Sequence, residues 1–486
     1  VSLSDVQRAA LALLEPRPFV NGRFVDGAGT RPTRYPATGE VLAEVQEADD
    51  ALVGHAVRAA REAASPWADL TPEARRGHLL EVARLVAEHS EALALLETLD
   101  AGRTIADSRA DAGLARGLLE SAAETAVRLR SPVAMTAPDL LAYSRREPLG
   151  VVGFVLPWNS PLFMYAAAVP LALAAGNAVV LKPSEETPLV ALALAKLFHR
   201  AGLPDGAFSV VPGDGRAGQA LVDHPGVDLV SFTGSSATGR EIASRVGRRL
   251  GRVHLELGGK SPFVVFADAD LEAAAKASAF AFTWNQGQIC TAGTRLIVER
   301  SVERAFLERL RAELESLTVG DPLLESTSLG AVISPKHRDR IHGYVQGALL
   351  ESARLVAGGV IPAVAGFEGG SFYAPTVFAD VRPEHRIARE EVFGPVLAVF
   401  GFDTEAEAVA LANSSDYGLG ATVWTGNLGR AYRMVARIEA GFVSVNAYGA
   451  GGPVPGEPFK ASGLGVMGGL EGAEAYTRLK AVGIRL

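Results

Sequence analysis

Cys290 ends the stretch Asn285-Gln286-Gly287-Gln288-Ile289-Cys290 and is the only cysteine among 486 residues. An isolated thiol is usually a small buried apolar side chain. A packing cysteine, however, sits inside an apolar run, whereas this one follows a polar loop and precedes Thr291-Ala292-Gly293. As a nucleophile, a thiol needs a route to the thiolate and a partner that handles protons. The histidines offer no paired motif: His254 lies on an expected strand and the other eight in helical or loop contexts. Glu256 is the stronger partner. In His254-Leu255-Glu256-Leu257-Gly258-Gly259-Lys260 it stands between two leucines, where an ionised carboxylate is costly to bury. Its pKa is therefore expected to rise towards neutrality, as suits a general base; the bland alternative is a structural carboxylate bonded to the glycine-turn amides. Asn159, in Pro157-Trp158-Asn159 directly after an expected strand, could donate its amide to a developing oxyanion, although asparagine after a strand is also common in turns.

A second group of residues could hold a phosphate ester. Leu229–Phe232 reads as a strand, followed by Thr233-Gly234-Ser235 and a helix start, where backbone N–H groups can grip a pyrophosphate. The pattern is neither GxGxxG nor a P-loop, so a plain turn is the competing reading. Lys182 and Glu185 stand at the carboxyl end of another expected strand, where open parallel sheets bind ligands. Glu185 could accept both ribose hydroxyls of an adenosine, and its charge would repel a 2′-phosphate. A solvated loop ion pair is the alternative for these two.

These residues need a scaffold of alternating strands and helices. Residues 50–125 are rich in Ala, Leu, Glu and Arg, with Leu79, Leu80, Val82, Leu85 and Val86 near helical spacing. From about residue 150 short apolar runs alternate with longer periodic ones. Strands are expected at 151–156, 178–181, 208–211, 229–232, 253–257, 262–266, 295–298, 396–400 and 441–445. Thr187 and Pro188 are expected to open a helix that Gly202 and Pro204 stop. Strand and helix in alternation argue for parallel βαβ units and an α/β class. The apolar stretch 162–181 carries Pro170, Gly176 and Asn177 and reads as a buried helix turning into a strand, not a membrane span. The N-terminal VSLSDVQRAALALLEPRP lacks a basic region and makes a poor signal peptide. A net charge of −8 with no basic block gives no support for a nucleic-acid or anionic-membrane partner. One cysteine cannot form an internal disulfide, which fits a cytoplasmic location.

With these residues in place, the chain resembles the aldehyde dehydrogenase superfamily over nearly its whole length. FVNGRFVD near the start, PWN at 157–159, KPSEETP at 182–188, FTGS at 232–235, LELGGKSP at 255–262, GQICTAG at 287–293, EEVFGPV at 390–396 and VSVN at 443–446 follow the family's order. The resemblance implies that Cys290 attacks the aldehyde carbon while Asn159 and the Cys290 amide hold the oxyanion. Hydride transfer to NAD would leave a thioester, and Glu256 would activate the water that hydrolyses it. The presence of Glu256 favours the hydrolytic branch over the coenzyme-A-acylating one. Lys182 and Glu185 would hold the adenosine ribose, Ser235 the pyrophosphate and Glu391 the nicotinamide ribose, with Phe393 flanking the nicotinamide. Trp158, Gly234 and Leu257 complete the implied cofactor-binding set, NADP is disfavoured, and no metal is implied. The implied fold is a Rossmann-type cofactor domain (1–123 and 144–257), an α/β catalytic domain (258–456), and a small β oligomerisation flap with C-terminal tail (124–143 and 457–486). Because such flaps pair across subunits in relatives, the resemblance implies a homodimer or homotetramer.

Departures from the family pattern carry further expectations. Ser160 stands where an aromatic is frequent, Ala167-Ala168 where many relatives have Trp-Lys, Gly456 at another usual aromatic, and Val466-Met467 in place of Arg-Glu. Ser160, Ala167 and Gly456 together predict a roomier pocket for a cyclic or aromatic aldehyde, unless Tyr165 or Tyr448 refills the space. Loss of the Lys and Glu together predicts that Glu256 exchanges its proton by a different water route. Restoring Ala168→Lys with Met467→Glu without any change in deacylation would remove that idea's basis. The competing readings are a semialdehyde dehydrogenase, whose signature would be an arginine in the channel, and a Cys-dependent esterase or thioesterase without net redox. A catalytically silent relative is opposed by the joint presence of Cys290, Glu256 and Asn159.

Overall fold

The structure, a computed structural model, describes residues 10, 12–134, 137–449 and 454–485. Most of the N-terminal stretch weighed as a signal peptide, residues 135–136 of the expected flap, and residues 450–453 lie outside the described residues. Among the described residues no helix is long and apolar enough to cross a membrane.

The Ala- and Leu-rich region forms four helices, Asp50–Asp69, Pro72–Glu88, Ser90–Ala101 and Ile105–Ala126. Three starts are capped by side chains: Asp49 accepts from the Leu52 amide, Thr71 from Ala74 and Thr104 from Asp107. Such caps satisfy N–H groups that have no partner within the helix. Gly102, at φ +73°, ends the third helix in the left-handed conformation, and Arg103 follows it before the fourth begins. The cap expected from Thr187 does not form. The helix Leu189–Arg200 has no side-chain cap from its own segment, and Thr187 Oγ1 is buried without a partner. Instead the Leu189 amide donates to Asp100 Oδ2 at 2.8 Å. A carboxylate from a helix distant in sequence does the capping, which local sequence reading has no means of finding.

Two large sheets carry the rest. The eight-stranded sheet runs Arg23–Phe24, Phe19–Val20, Phe208–Val210, Ala178–Lys182, Val151–Val155, Leu229–Thr233, Arg252–Glu256 and Gly463–Leu464. Its five inner strands are parallel, and the two ends are antiparallel additions. Alternate residues serve opposite faces: Val152, Phe154, Val179 and Leu181 join one core with Trp67 and Leu79, while Val151, Val180 and Val230 join another with Val53 and Val57. Each such side chain fully buried contributes on the order of 2 kcal/mol. The chain builds outward from Val151–Val155 on one side, then returns to add Leu229–Thr233 on the other. That reversal is where parallel sheets open a crevice at their strand carboxyl ends.

The seven-stranded sheet runs Arg354–Ala357, Thr376–Ala379, Val396–Phe402, Arg295–Glu299, Pro262–Val265, Gly420–Trp424 and Phe442–Val445. It is parallel except at the first strand. Only residues 257–261 separate the last parallel strand of the first sheet from a central strand of the second. A three-stranded antiparallel sheet joins Thr477–Arg485, Leu140–Pro148 and Val133–Ala134. The segment 457–486 divides its pairing: Phe459–Lys460 pairs with Tyr417–Gly418, Gly463–Leu464 with the strand of Glu256, and only the last strand joins the small sheet.

Candidate active site

The residues singled out on the first sheet lie at the carboxyl ends of its parallel strands or in the turns that follow. Lys182 closes one strand and Glu256 another. Trp158 and Asn159 follow Val151–Val155, while Gly234 and Ser235 follow Leu229–Thr233. The Gly234 amide donates to the Glu256 carbonyl at 3.0 Å, which ties two of these ends together. On the second sheet the polarity is opposite. Cys290 precedes the strand Arg295–Glu299, and Glu391 and Phe393 precede Val396–Phe402. The site is therefore the seam where strand ends of one sheet face strand beginnings of the other.

The loop before Cys290 is held in costly backbone conformations. Asn285, Gln286 and Gly287 have φ of +49°, +56° and +70°, and left-handed non-glycine residues cost roughly 1–3 kcal/mol each. Side chains hold the loop there. Asn285 Nδ2 donates to the Asn159 carbonyl at 2.5 Å, Asn159 Nδ2 donates to the Gln288 carbonyl at 2.9 Å, and Gln288 Oε1 accepts from the Ile333 amide at 2.9 Å. Asn159 is thus bonded to Gln288, two positions before Cys290, and to Asn285, five before. A Cβ on Gly287 would meet the Gly394 backbone at 2.4 Å, and one on Gly259 would meet the Cys290 carbonyl at 2.1 Å. Both glycines are needed for the loop to close on its neighbours. Phe393 is likewise left-handed, at φ +59°, and its carbonyl is engaged by His337 Nε2 at 2.7 Å.

Burial sets the protonation states. Desolvation pushes Glu256 up to about 8. Cys290 is partly exposed as a residue, yet its thiol is enclosed, and burial with the charges of Glu391 and Glu256 pushes it up to about 12. Glu391 is pushed to about 7 by burial, against the Gly259 amide that it accepts at 2.9 Å and the Lys260 ammonium. Lys260 is lowered to about 7 by burial and by Arg295.

The expected nucleotide residues fit a dinucleotide. Lys182 is buried and its Nζ lies 3.2 Å from the half-exposed Glu185 carboxylate. Ser235 caps the helix Ser236–Arg248, accepting from the Thr238 amide at 3.3 Å, so its hydroxyl already has a structural duty, while a helix start leaves its first amides without partners inside the helix. Leu257 is buried, packs where Gly239 lacks a Cβ, and donates its amide to Ser462 at 2.8 Å. Trp158 meets Phe393 edge-on at 5.4 Å and His337 at 5.3 Å. Among the described residues no cluster of three His, Cys, Asp or Glu could hold a metal ion.

Two features were not legible from the motifs. Arg103 is completely buried and donates to Ser160 Oγ at 2.5 Å and to Asp111, with Glu97 3.8 Å away. Burial raises Glu97, and the Arg103 charge opposes that rise. An arginine does stand behind one of the expected pocket positions, but it is fully buried and bonded to the Asp111 carboxylate. An aromatic group flanks the Cys290 loop: Trp284 stacks on Phe280 at 5.6 Å, Phe280 meets Tyr448 at 6.0 Å, and Tyr448 OH donates to the Thr291 carbonyl at 3.3 Å. Of the positions Ser160, Ala167 and Gly456 that together predict a roomier pocket, the first and last are occupied by neighbours. A Cβ on Gly456 would meet the Phe442 ring at 2.4 Å, and Ser160 is buried against Arg103. Tyr165 points into the core towards the Thr187 carbonyl.

The model of the aldehyde dehydrogenase family matches residues 24–482. The chain belongs to the aldehyde dehydrogenase family. It is 41% identical over 474 residues to a betaine aldehyde dehydrogenase of Vibrio vulnificus, covering 97% of this chain and 96% of that protein. Among solved aldehyde dehydrogenases, the indole-3-acetaldehyde dehydrogenase AldA of P. syringae, in complex with NAD+ and IAA, superposes with a TM-score of 0.96 at 41% identity over all of both chains. A gamma-glutamyl-gamma-aminobutyraldehyde dehydrogenase of Burkholderia cenocepacia gives 0.95 at 43% identity, again over both whole chains. The α/β class and the family resemblance drawn from the motifs hold.

Proposed function

We propose that this chain oxidises an aldehyde to a carboxylic acid with NAD, through a thioester on Cys290 that Glu256 helps to hydrolyse. The observation that carries the reading is the seam itself: Asn159 is bonded to the Cys290 loop, and Glu256 ends the strand that leads into the Gly258-Gly259 turn against which Cys290 packs. The thiol must lose its proton to attack, and the nearby charged groups it feels are Glu391 and Glu256. As the carbonyl oxygen takes up charge, the second N–H of the Asn159 amide and the Cys290 N–H are the donors available to it. The chemistry that NAD supplies when bound is acceptance of the hydride leaving the thiohemiacetal carbon. Glu256, as carboxylate, then takes a proton from water, whose oxygen attacks the thioester and releases Cys290.

Lys182 and Glu185 would hold the adenosine ribose, with Glu185 favouring NAD over NADP. The amides of Ser236–Arg248 and Ser235 would hold the pyrophosphate. Glu391, Phe393, Trp158, Leu257 and Gly234 would line the nicotinamide half. Phe280, Trp284 and Tyr448 support an aromatic or cyclic aldehyde as substrate, since ring edges and faces favour stacked partners. A semialdehyde is the second reading. It is disfavoured because Arg103, the arginine found beside Ser160, is fully buried and already paired with Asp111. The division into a cofactor unit, a catalytic unit and a flap, cytoplasmic residence, and a homo-oligomer built through the exposed edge of the small sheet complete the proposal. Val133 at 70% exposed and Leu479 at 56%, on the two opposite edge strands of that sheet, support such pairing.

The test is NADH formation by purified protein across short aliphatic, charged and aromatic aldehydes, beside Cys290→Ala. Best turnover of aromatic aldehydes with a dead variant supports the whole reading. Cleavage of an activated ester through Cys290 with no NAD reduction would leave acyl chemistry and remove the oxidation.

A further inference from the structure

Behind Glu256 lies a polar pair that the mechanism above does not use. His254 precedes Glu256 by two positions on one strand, so both side chains project from the same face. Both residues are buried, at 6% and 5% exposed. His254 Nε2 and Glu256 Oε1 lie 3.6 Å apart, and neither atom has a hydrogen-bond partner. Two unsatisfied buried polar atoms facing each other cost free energy in this state of the site. The cost is removed if one carries a proton that the other accepts, and a small side-chain rotation brings the pair within bonding length.

Ser231 gives the ring a partner that allows the accepting role. His254 Nδ1 lies 3.3 Å from Ser231 Oγ on the adjacent parallel strand. A proton on Nδ1 donated to Ser231 leaves Nε2 with its lone pair towards Glu256. Tyr476 stands edge-on to the ring at 6.1 Å. A Cβ on Gly465 would meet the ring at 2.1 Å, so the C-terminal segment closes on it at that glycine. The titratable groups facing the pair from neighbouring elements are Tyr476 and, on the nucleophile loop, Cys290. Among the described residues no cation faces either group. Burial lowers His254 to about 4 and raises Glu256 to about 8, so the pair rests as neutral acid and neutral base and not as an ion pair.

We infer that His254 is a positioning residue for the general base: its unprotonated Nε2 accepts the hydrogen of the protonated Glu256 carboxyl. This rests on the reading of Glu256 as that base. In the hydrolytic step the water O–H bond breaks and its proton passes to Glu256. The new C–O bond forms as the C–S bond breaks, and the electron pair leaves on Cys290 sulfur. The Glu256 hydrogen then points at His254 until it is passed on to the Cys290 thiolate, which restores the thiol. A hydrogen bond to the neutral form makes the carboxylate a stronger base.

The experiment follows the pH profile of acyl-enzyme hydrolysis in the full-length protein, using an activated ester to load Cys290. His254→Phe keeps a flat ring and removes the acceptor. Its acid limb is expected to move to lower pH by about one unit, the worth of a hydrogen bond to one protonation form. Ser231→Ala, which frees the tautomer without touching Glu256, is expected to move the limb the same way by less, and serves alone if the phenylalanine variant fails to fold. Infrared difference spectra, with Glu256→Gln as reference, should show the Glu256 carboxyl band shift from bonded to free in the phenylalanine variant. A limb and band that stay in place in both variants, with only the rate scaled, would overturn the role of His254. A Glu256→Gln protein that hydrolyses its acyl-enzyme at the normal rate would instead remove the base reading beneath it.

Discussion

The two sides of the seam are built differently. Glu256, Lys182 and Asn159 stand at or just beyond the carboxyl ends of buried parallel strands, in a region supported from behind by the Arg103, Asp111 and Glu97 network. Cys290 and Phe393 stand on loops that enter the second sheet through left-handed backbone at Asn285, Gln286, Gly287 and Phe393. Regular structure positions the base without backbone strain, whereas the nucleophile is positioned by strain that tertiary bonds hold in place. Damage to the frame behind the first side should therefore register mainly in stability, and damage to the loops of the second mainly in activity.

The largest effect is expected at Arg103. Replacing it with Met leaves Asp111 and Glu97 buried without their cation, a situation that costs about 3–5 kcal/mol. Denaturant unfolding should show that loss, with the folded fraction still turning over. The ratio of turnover on charged and aromatic aldehydes should stay unchanged, because this arginine is already neutralised. A changed ratio would mean that Arg103 reads the substrate, and the contrast between the two sides would fail.

Glu256 gives the next effect. Its folded pKa, about 8, lies above the ordinary value of 4.5. Between these two values the folded state holds a proton that the unfolded chain has released, so the contribution to stability is full below the lower value and is lost as pH rises through the upper. Glu256→Gln removes this dependence. Its stability relative to the parent should rise by about 3 kcal/mol between roughly pH 5 and 8, read from urea unfolding at several pH values. A constant difference would place the carboxylate in a solvated setting.

Glycines sharpen the comparison because one chemical change can be made on each side. Gly287→Ala sets a methyl against the Gly394 backbone at 2.4 Å and asks alanine to hold φ +70°. A displaced loop should cost about a hundredfold in kcat/KM. Gly153→Ala, inside the strand Val151–Val155, meets only Val227 and Leu221 side chains at 3.1 and 3.2 Å. It should cost about 1–2 kcal/mol of stability and leave turnover per folded molecule within a few-fold.

The same contrast explains what could be read in advance. The strands at 151–155, 178–182 and 229–233 announce themselves as short apolar runs, because both faces of a parallel sheet are covered. Glu256 stood out as a carboxylate among leucines, and its burial is as expected. Cys290 stood out for its polar surroundings, but nothing in Asn285-Gln286-Gly287 announces three left-handed residues in succession. Arg103 was missed because its partners come from two helices and the loop after a strand. The Asp100 cap on Leu189 is long-range for the same reason, whereas the caps at Asp49, Thr71 and Thr104 are local and follow from residue type. The open space inferred at Gly456 failed because Phe442, fourteen residues earlier, fills it.

The smallest effect separates two duties of one side chain. The family resemblance implies a pyrophosphate ligand in Ser235, yet its Oγ accepts from the Thr238 amide and caps the helix Ser236–Arg248. If capping is its main duty, Ser235→Ala costs about 1 kcal/mol of stability. NAD affinity should then weaken only about two- to threefold, because the backbone amides at the helix start remain to meet the phosphates. Thermal unfolding with and without NAD, together with a direct binding titration, measures both quantities on one variant. A tenfold or greater loss of affinity with unchanged unfolding would make the hydroxyl a ligand first. The regular side of the seam would then also depend on a side chain diverted from its structural role, and the division between the two sides would narrow to the backbone strain around Cys290.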